Sequence, residues 1–127
     1  MSQVSVRYIV NDVKPAVEFY TGNFDFKVEM NPGTGFAMLS RGGLRLLLNE
    51  PGAGGAGHNA DDGSVPQPGG WNRFQLEFDS LEDKVAKMKK SGVVFRTDIV
   101  DSQGRKQAVA EDPSGNLVEM FQPKRDS

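Results

Sequence analysis

The side chains able to do chemistry are few in this chain, and they cluster in its second half. In Arg73-Phe74-Gln75-Leu76-Glu77-Phe78 polar and apolar residues alternate strictly. A strand there puts Arg73, Gln75 and Glu77 on one face and the three apolar residues on the other. A guanidinium and an amide on one face suit the anchoring of a polar ligand. Further on, Glu111-Asp112-Pro113-Ser114-Gly115-Asn116-Leu117-Val118-Glu119 places a glutamate on either side of a tight hairpin turn. The one histidine, His58, lies in a Gly- and Pro-rich stretch without a rigid element to hold a nucleophile-base geometry. One histidine and no cysteine exclude a His-rich or thiolate metal site, a thiolate nucleophile and a disulfide framework. Gly52 to Gly57 spells GxGxxG after a strand, but His58 to Gly63 is a poor helix of the wrong charge. Pyrophosphate would find no helix N-terminus there, and no lysine follows for a P-loop.

Positioning these groups falls to a plan that occurs twice. Residues 4 to 31 and 72 to 99 repeat at an offset of 68, so that Val10, Asp12, Val13, Val17, Tyr20 and Phe26 fall on Phe78, Ser80, Leu81, Val85, Met88 and Val94. In the first copy a strand is expected over 4–10, a helix from an Asn11 or Asp12 cap to about Thr21, and strands over 25–30, 35–40 and 44–49. Val13, Val17 and Tyr20, widened by Ala16 and Phe19, form the helix's apolar stripe. Phe19, Tyr20, Phe24 and Phe26 read as core packing between helix and sheet. The second copy is read as a strand over 72–78, a helix from Asp79 or Ser80 through Lys90 ended by Gly92, and strands over 93–100, 106–111 and 117–121. Lys84, Lys87, Lys89 and Lys90 make a solvated helix face. Each copy is βαβββ, and the fold class is α+β. Between them, Pro51 to Gly70 is a Gly/Pro-rich linker without periodicity, read as a flexible tether in preference to a lid. The tail from Pro123 is expected to fray.

At 127 residues the chain suits one domain, with module one at 3–50, the linker at 51–70 and module two at 71–123. Its 15 basic and 17 acidic residues are interspersed, leaving no stripe for nucleic acid or an anionic membrane. No apolar run approaches the ~20 residues of a membrane span, and Met1 to Val13 lacks the pattern of a signal peptide. The expectation is a soluble, cytoplasmic protein.

The segment Arg7-Tyr8-Ile9-Val10-Asn11-Asp12-Val13 leading into Glu18-Phe19-Tyr20, the βαβββ repeat and the Glu111 to Glu119 motif resemble the vicinal oxygen chelate superfamily, which holds glyoxalases, bleomycin-resistance proteins and ring-cleaving dioxygenases. The resemblance spans Val4 to Pro123. It implies two βαβββ modules forming a curved, U-shaped mixed sheet with helices on the outer face, and a homodimer with the cleft shared or swapped. Metal-dependent members use a histidine on the first strand of each module and a carboxylate on the last. By motif those positions fall on Ser5, Arg73 and Glu119, and a further ligand position falls near Leu47. Only Glu119 survives as a ligand type, so no metal or other cofactor is expected. A divalent ion would enter only if this placement of ligands were wrong.

If Ser5, Arg73 and Glu119 face the cleft, alternation sends Arg7, Ile9, Gln75 and Glu77 there as well. Arg73 would then pair bidentately with Glu119 in the empty protein, in preference to meeting an anionic ligand. The favoured function is metal-independent binding of a small organic molecule by Ser5, Arg7, Arg73, Gln75 and Glu119, with Phe36 and Trp71 as apolar walls. The alternative is a lyase, isomerase or dioxygenase-like enzyme using Glu119 as catalytic base or metal ligand. A third reading is a structural or partner-binding domain.

Overall fold

Extended Asp12 ends the first strand region and caps a helix, its carboxylate accepting the amide of Lys14. In this computed structural model, which describes residues 3–124, the repeat is realised as two units with one topology. The first unit comprises residues up to Gly69 together with Pro113–Gly115; the second takes Gly70–Asp112 and the chain from Asn116. Met1, Ser2 and Arg125 to Ser127 lie outside the described residues, and with them most of the tail expected to fray.

In the first unit β1 (Val4–Ile9), α1 (Val13–Phe24), β2 (Lys27–Met30), β3 (Phe36–Arg41) and β4 (Leu44–Asn49) form a sheet ordered β1-β4-β3-β2, with β1 parallel to β4. In the second, β5 (Arg73–Glu77), α2 (Leu81–Lys90), β6 (Phe95–Ser102), β7 (Arg105–Glu111) and β8 (Leu117–Gln122) repeat it as β5-β8-β7-β6. Each helix covers one face of its own sheet. Tyr8, Ala37, Leu39, Leu46 and Leu48 are buried with Val13, Ala16, Phe19, Tyr20 and Phe24 of α1. Leu76, Ala108, Ala110, Val118 and Met120 are buried in the second unit, as are Leu81, Val85 and Met88 of α2. The aromatic cluster predicted as core is core: Tyr20 meets Phe19 and Phe26 edge-on at 5.0 and 5.6 Å between ring centroids.

Several expectations are corrected. Helix α1 runs past Thr21 and through Gly22 to Phe24, because fully buried Phe24 extends the apolar stripe by another turn. It stops at Asp25, which adopts φ +57° and donates its amide to the Tyr20 carbonyl. The stripe centres on Ala16, Phe19 and Tyr20, leaving Val17 half-buried. Ser80 caps α2 by position but not by side chain. Its hydroxyl goes to Asp83, and the Leu81 amide donates instead to Oε1 of Gln122 at 2.8 Å, tying the helix start to β8. The stretch after β4 is not open chain at its start. Gly52 donates to the Gly57 carbonyl, Ala53 to Glu50 and Gly57 to Ala53, closing a compact turn. Gly57 is buried there, and a Cβ would strike backbone atoms of Glu50 and Ala53. No helix follows this GxGxxG, and His58 is exposed, so the dinucleotide reading fails on structure as it did on sequence. Among the described residues no helix is long and apolar enough to cross a membrane.

The Asp112–Asn116 turn is a buried polar clasp. Asp112 accepts the Asn116 amide at 3.0 Å and its side-chain amide at 3.3 Å, and the Asp112 amide donates to the Asn116 carbonyl. Ser114, at the tip, belongs to the first unit, where its hydroxyl accepts the Asn11 amide at 2.8 Å. Truncating Asp112 leaves buried donors without partners. Asp112→Ala is therefore expected to lower stability by about 1–3 kcal/mol, read as a reduced urea midpoint at unchanged slope.

Candidate functional site

In the second unit, parallel pairing sets Gln75 beside Glu119, and antiparallel pairing sets Glu119 beside Val109. Paired residues point to the same side, so Arg73, Gln75, Glu111 and Glu119 share the face opposite α2. Arg73 donates through Nε to Glu119 Oε1 at 3.0 Å, and its Nη2 lies 2.9 Å from the same oxygen. The expected ion pair is present, but it is not the fork-on-fork arrangement expected. Gln75, directly alongside, takes the other carboxylate oxygen at 2.5 Å. The third arginine nitrogen, Nη1, donates to the Trp71 carbonyl at 3.2 Å. This carboxylate is thus bound by two neighbours and stands against a fixed cation.

Arg96 and Glu111 extend the network. Arg96 Nε donates to Glu111 Oε2 at 3.0 Å, and its guanidinium lies 5.0 Å from the centre of the Trp71 ring. The indole itself is 64% exposed, too open for a core residue. Two arginines and two glutamates therefore cancel one another beside an accessible aromatic plate. Arg96 and Glu111 were not predicted. Glu111 was legible from its alternation with Val109 and Glu119. Arg96 was hidden because register shifts between Phe95 and Val100 break the simple alternation of β6.

The remaining predicted site residues lie in the first unit, on the face opposite α1. Arg7 donates through Nη1 to Oδ1 of Asn49, which is 3% exposed and whose Nδ2 donates to the Ala53 carbonyl at 3.3 Å. Asn49 thus links Arg7 to the closed turn after β4. Phe36, half-buried, pairs in register with Asn49. Ser5 is exposed and pairs with Arg45. Leu47 pairs with Arg7 as Glu119 pairs with Gln75, so the first unit carries an apolar residue where the second carries its carboxylate.

The residues at the chelate positions do not fit a divalent ion. Of Ser5, Leu47, Arg73 and Glu119, only Glu119 is a usual ligand, and the guanidinium at 2.9 Å occupies the charge position a cation would take. Among the described residues no group of three or more His, Cys, Asp or Glu side chains is placed to hold a metal.

The Arg73–Glu119 pair is partly screened, with side chains 29% and 16% exposed, so its coupling should fall between exposed and buried pairs. A double-mutant cycle on Arg73→Met and Glu119→Leu, followed by urea unfolding, should give about 1–2 kcal/mol of coupling. Each single change should cost more than its share of the double, because it strands the charge that remains.

The sequence model of the Glyoxalase/Bleomycin resistance protein/Dioxygenase superfamily matches residues 2–120. Solved structures similar to this chain include TnmS3, an antibiotic binding protein from Streptomyces sp. CB03234, at 22% identity, covering 97% of each chain with a TM-score of 0.72. A lactoylglutathione lyase from Agrobacterium tumefaciens is similar at 19% identity over 97% of this chain and 94% of that one, with a TM-score of 0.73. TioX from Micromonospora sp. ML1 is similar at 18%, over 96% and 98%, with a TM-score of 0.72. At such identities the likeness is one of fold. No curated protein matches the chain.

Proposed function

We propose, from the premise that this chain belongs to the Glyoxalase/Bleomycin resistance protein/Dioxygenase superfamily, that it binds a small organic molecule on the charged face of its second sheet without using a metal at Glu119. One observation carries the reading: the exposed Trp71 indole lies against Arg96 in a unit whose Arg73–Glu119–Gln75 network offers directed polar groups. An aromatic plate beside oriented polar groups is the composition of a small-molecule site. Because Arg73 pairs with Glu119 and Arg96 with Glu111 beside the indole, a ligand stacked there need bring no net charge. Neutral polar aromatics fit that balance best. Among solved structures of this fold, TnmS3 from Streptomyces sp. CB03234 is an antibiotic binding protein, which supports a binding role.

A base-catalysed lyase or isomerase ranks below this. Both Glu119 oxygens are already engaged, Oε1 by Arg73 and Oε2 by Gln75, and no other observation favours that route. A homodimer, as in many members of the family, is part of the proposal, and sedimentation at two protein concentrations tests it.

Trp71 is the single tryptophan, so intrinsic fluorescence reports on this face alone. Titration with indole-free neutral aromatics such as naphthol should quench it saturably. Arg73→Ala should weaken the binding about tenfold, roughly 1.4 kcal/mol. Unchanged fluorescence across such probes sinks the proposed site. Divalent ions followed by chelator should leave the melting temperature where it was; a rise with metal that chelator reverses would overturn the metal-independent part.

A further inference from the structure

We propose that Glu111 is a positioning residue for the ligand surface of the second sheet. Acting through Arg96, it holds the Trp71 indole with one ring face covered, so that the surface takes a flat uncharged ring on the other face and turns away a cationic one. This deepens the proposed function and rests on it. Trp71 stands outside the sheet: it precedes β5 and follows Gly69 and Gly70, whose φ of +104° and +92° lie in a region that side chains rarely adopt. With the indole 64% exposed, packing restrains it little. Among the described residues two polar contacts hold it. Arg73 Nη1 donates to its carbonyl at 3.2 Å, which fixes backbone alone, and Arg96 lies over its ring with the guanidinium carbon 5.0 Å from the centre. The orientation of the ring therefore falls to Arg96.

Arg96 must itself be held, because a free arginine side chain samples many rotamers and a cation over an exposed ring gains little. Glu111 supplies the hold. Its Oε2 accepts the Arg96 Nε–H at 3.0 Å, with the two side chains 23% and 33% exposed, so the pair is more sheltered than the ring it serves. Arg96 occupies the register shift between Phe95 and Thr97, where β6 carries one residue more than β7. A bulge of this kind re-aims a side chain. The covered face of the indole thus serves one cation already. A second cation on the open face would be repelled across the ring, whereas an uncharged ring there meets no such penalty.

Because Trp71 is the single tryptophan, its emission anisotropy and its quenching by acrylamide report on the indole of the full chain without any ligand. Glu111→Gln and Arg96→Gln should each lower the anisotropy and raise the quenching constant by about half, the limit for a ring already 64% exposed. The double variant should go no further than Arg96→Gln alone, as expected of a residue that acts through another. Additive effects in the double variant, or an indole unmoved by Glu111→Gln, overturn the positioning role. Should Glu111→Gln not fold, the wild-type chain decides: the Arg96 side-chain proton resonances should be displaced upfield by the indole ring current and return in Trp71→Ala, a change at an exposed residue. Resonances without that displacement overturn the contact. The ligand class is read separately, by calorimetric titration with naphthol and with benzyltrimethylammonium. Naphthol should bind about tenfold more tightly, and Arg96→Gln, which uncovers the ring and strips Glu111 of its partner, should narrow that preference about threefold. Tighter binding of the cation to the wild-type chain overturns the single-face assignment. If neither probe binds while the indole responds as stated, the ligand surface is overturned and the positioning of Trp71 stands.

Discussion

The parallel pairing of each unit's first strand with its last is the constraint that decides which side chains each sheet leaves open. A parallel pair requires a crossover, and the helix that crosses must cover one face of the sheet. Everything of the opposite parity is left facing away from it. In the second unit that parity brings Glu119 alongside Gln75 and within reach of Arg73. A slip of one residue would turn the glutamate toward α2, among Leu76, Val118 and Met120, where an unpaired carboxylate is not tolerated. The hydrophobic pattern that buries the helix thereby fixes the polar site, and the site needs no separate device to hold its register.

Strong periodicity made most of the fold legible. The repeat at 68 residues, the α+β class, the stop of α2 at Lys90 and the alternation of β5 all rest on short-range patterns that packing does not override. The errors have distinct causes. Gly22 lies inside α1 because the gain from burying Phe24 exceeds the cost of a mid-helix glycine, about 1 kcal/mol. The turn at Gly52–Gly57 was invisible because hydrogen bonds between backbone atoms leave no side-chain signature. For the site, Arg73, Gln75 and Glu119 followed from alternation together with the family motif. Arg96 did not, since a bulge shifts parity without marking the sequence; Asn49 ends β4 as expected, but nothing in the sequence marks it as buried.

The chelate positions show why a family motif must be read residue by residue. A divalent ion and a guanidinium both place positive charge beside a carboxylate, but they leave different chemistry. An ion offers open coordination positions to a substrate, whereas Arg73 spends its Nε and Nη2 on one carboxylate oxygen and its Nη1 on the Trp71 carbonyl. What the second sheet retains is a face on which Arg73 pairs with Glu119 and Arg96 with Glu111.

Comparing the two units by register sharpens this. Glu119 beside Gln75 corresponds to Leu47 beside Arg7, and Leu117 beside Arg73 corresponds to Arg45 beside Ser5. At this row, each unit has one arginine and one uncharged residue, but on opposite strands. Displaced by one strand, the arginine of the first unit lacks the counterion that the second unit supplies by pseudo-symmetry. The repeat keeps the backbone plan while redistributing charge: the second sheet pairs Arg73 with Glu119, whereas on the open face of the first Arg7 meets the neutral Asn49 amide and Arg45 stands beside Ser5. The two sheets of a common scaffold can therefore differ in charge through substitutions alone, at positions whose direction the shared topology already fixes.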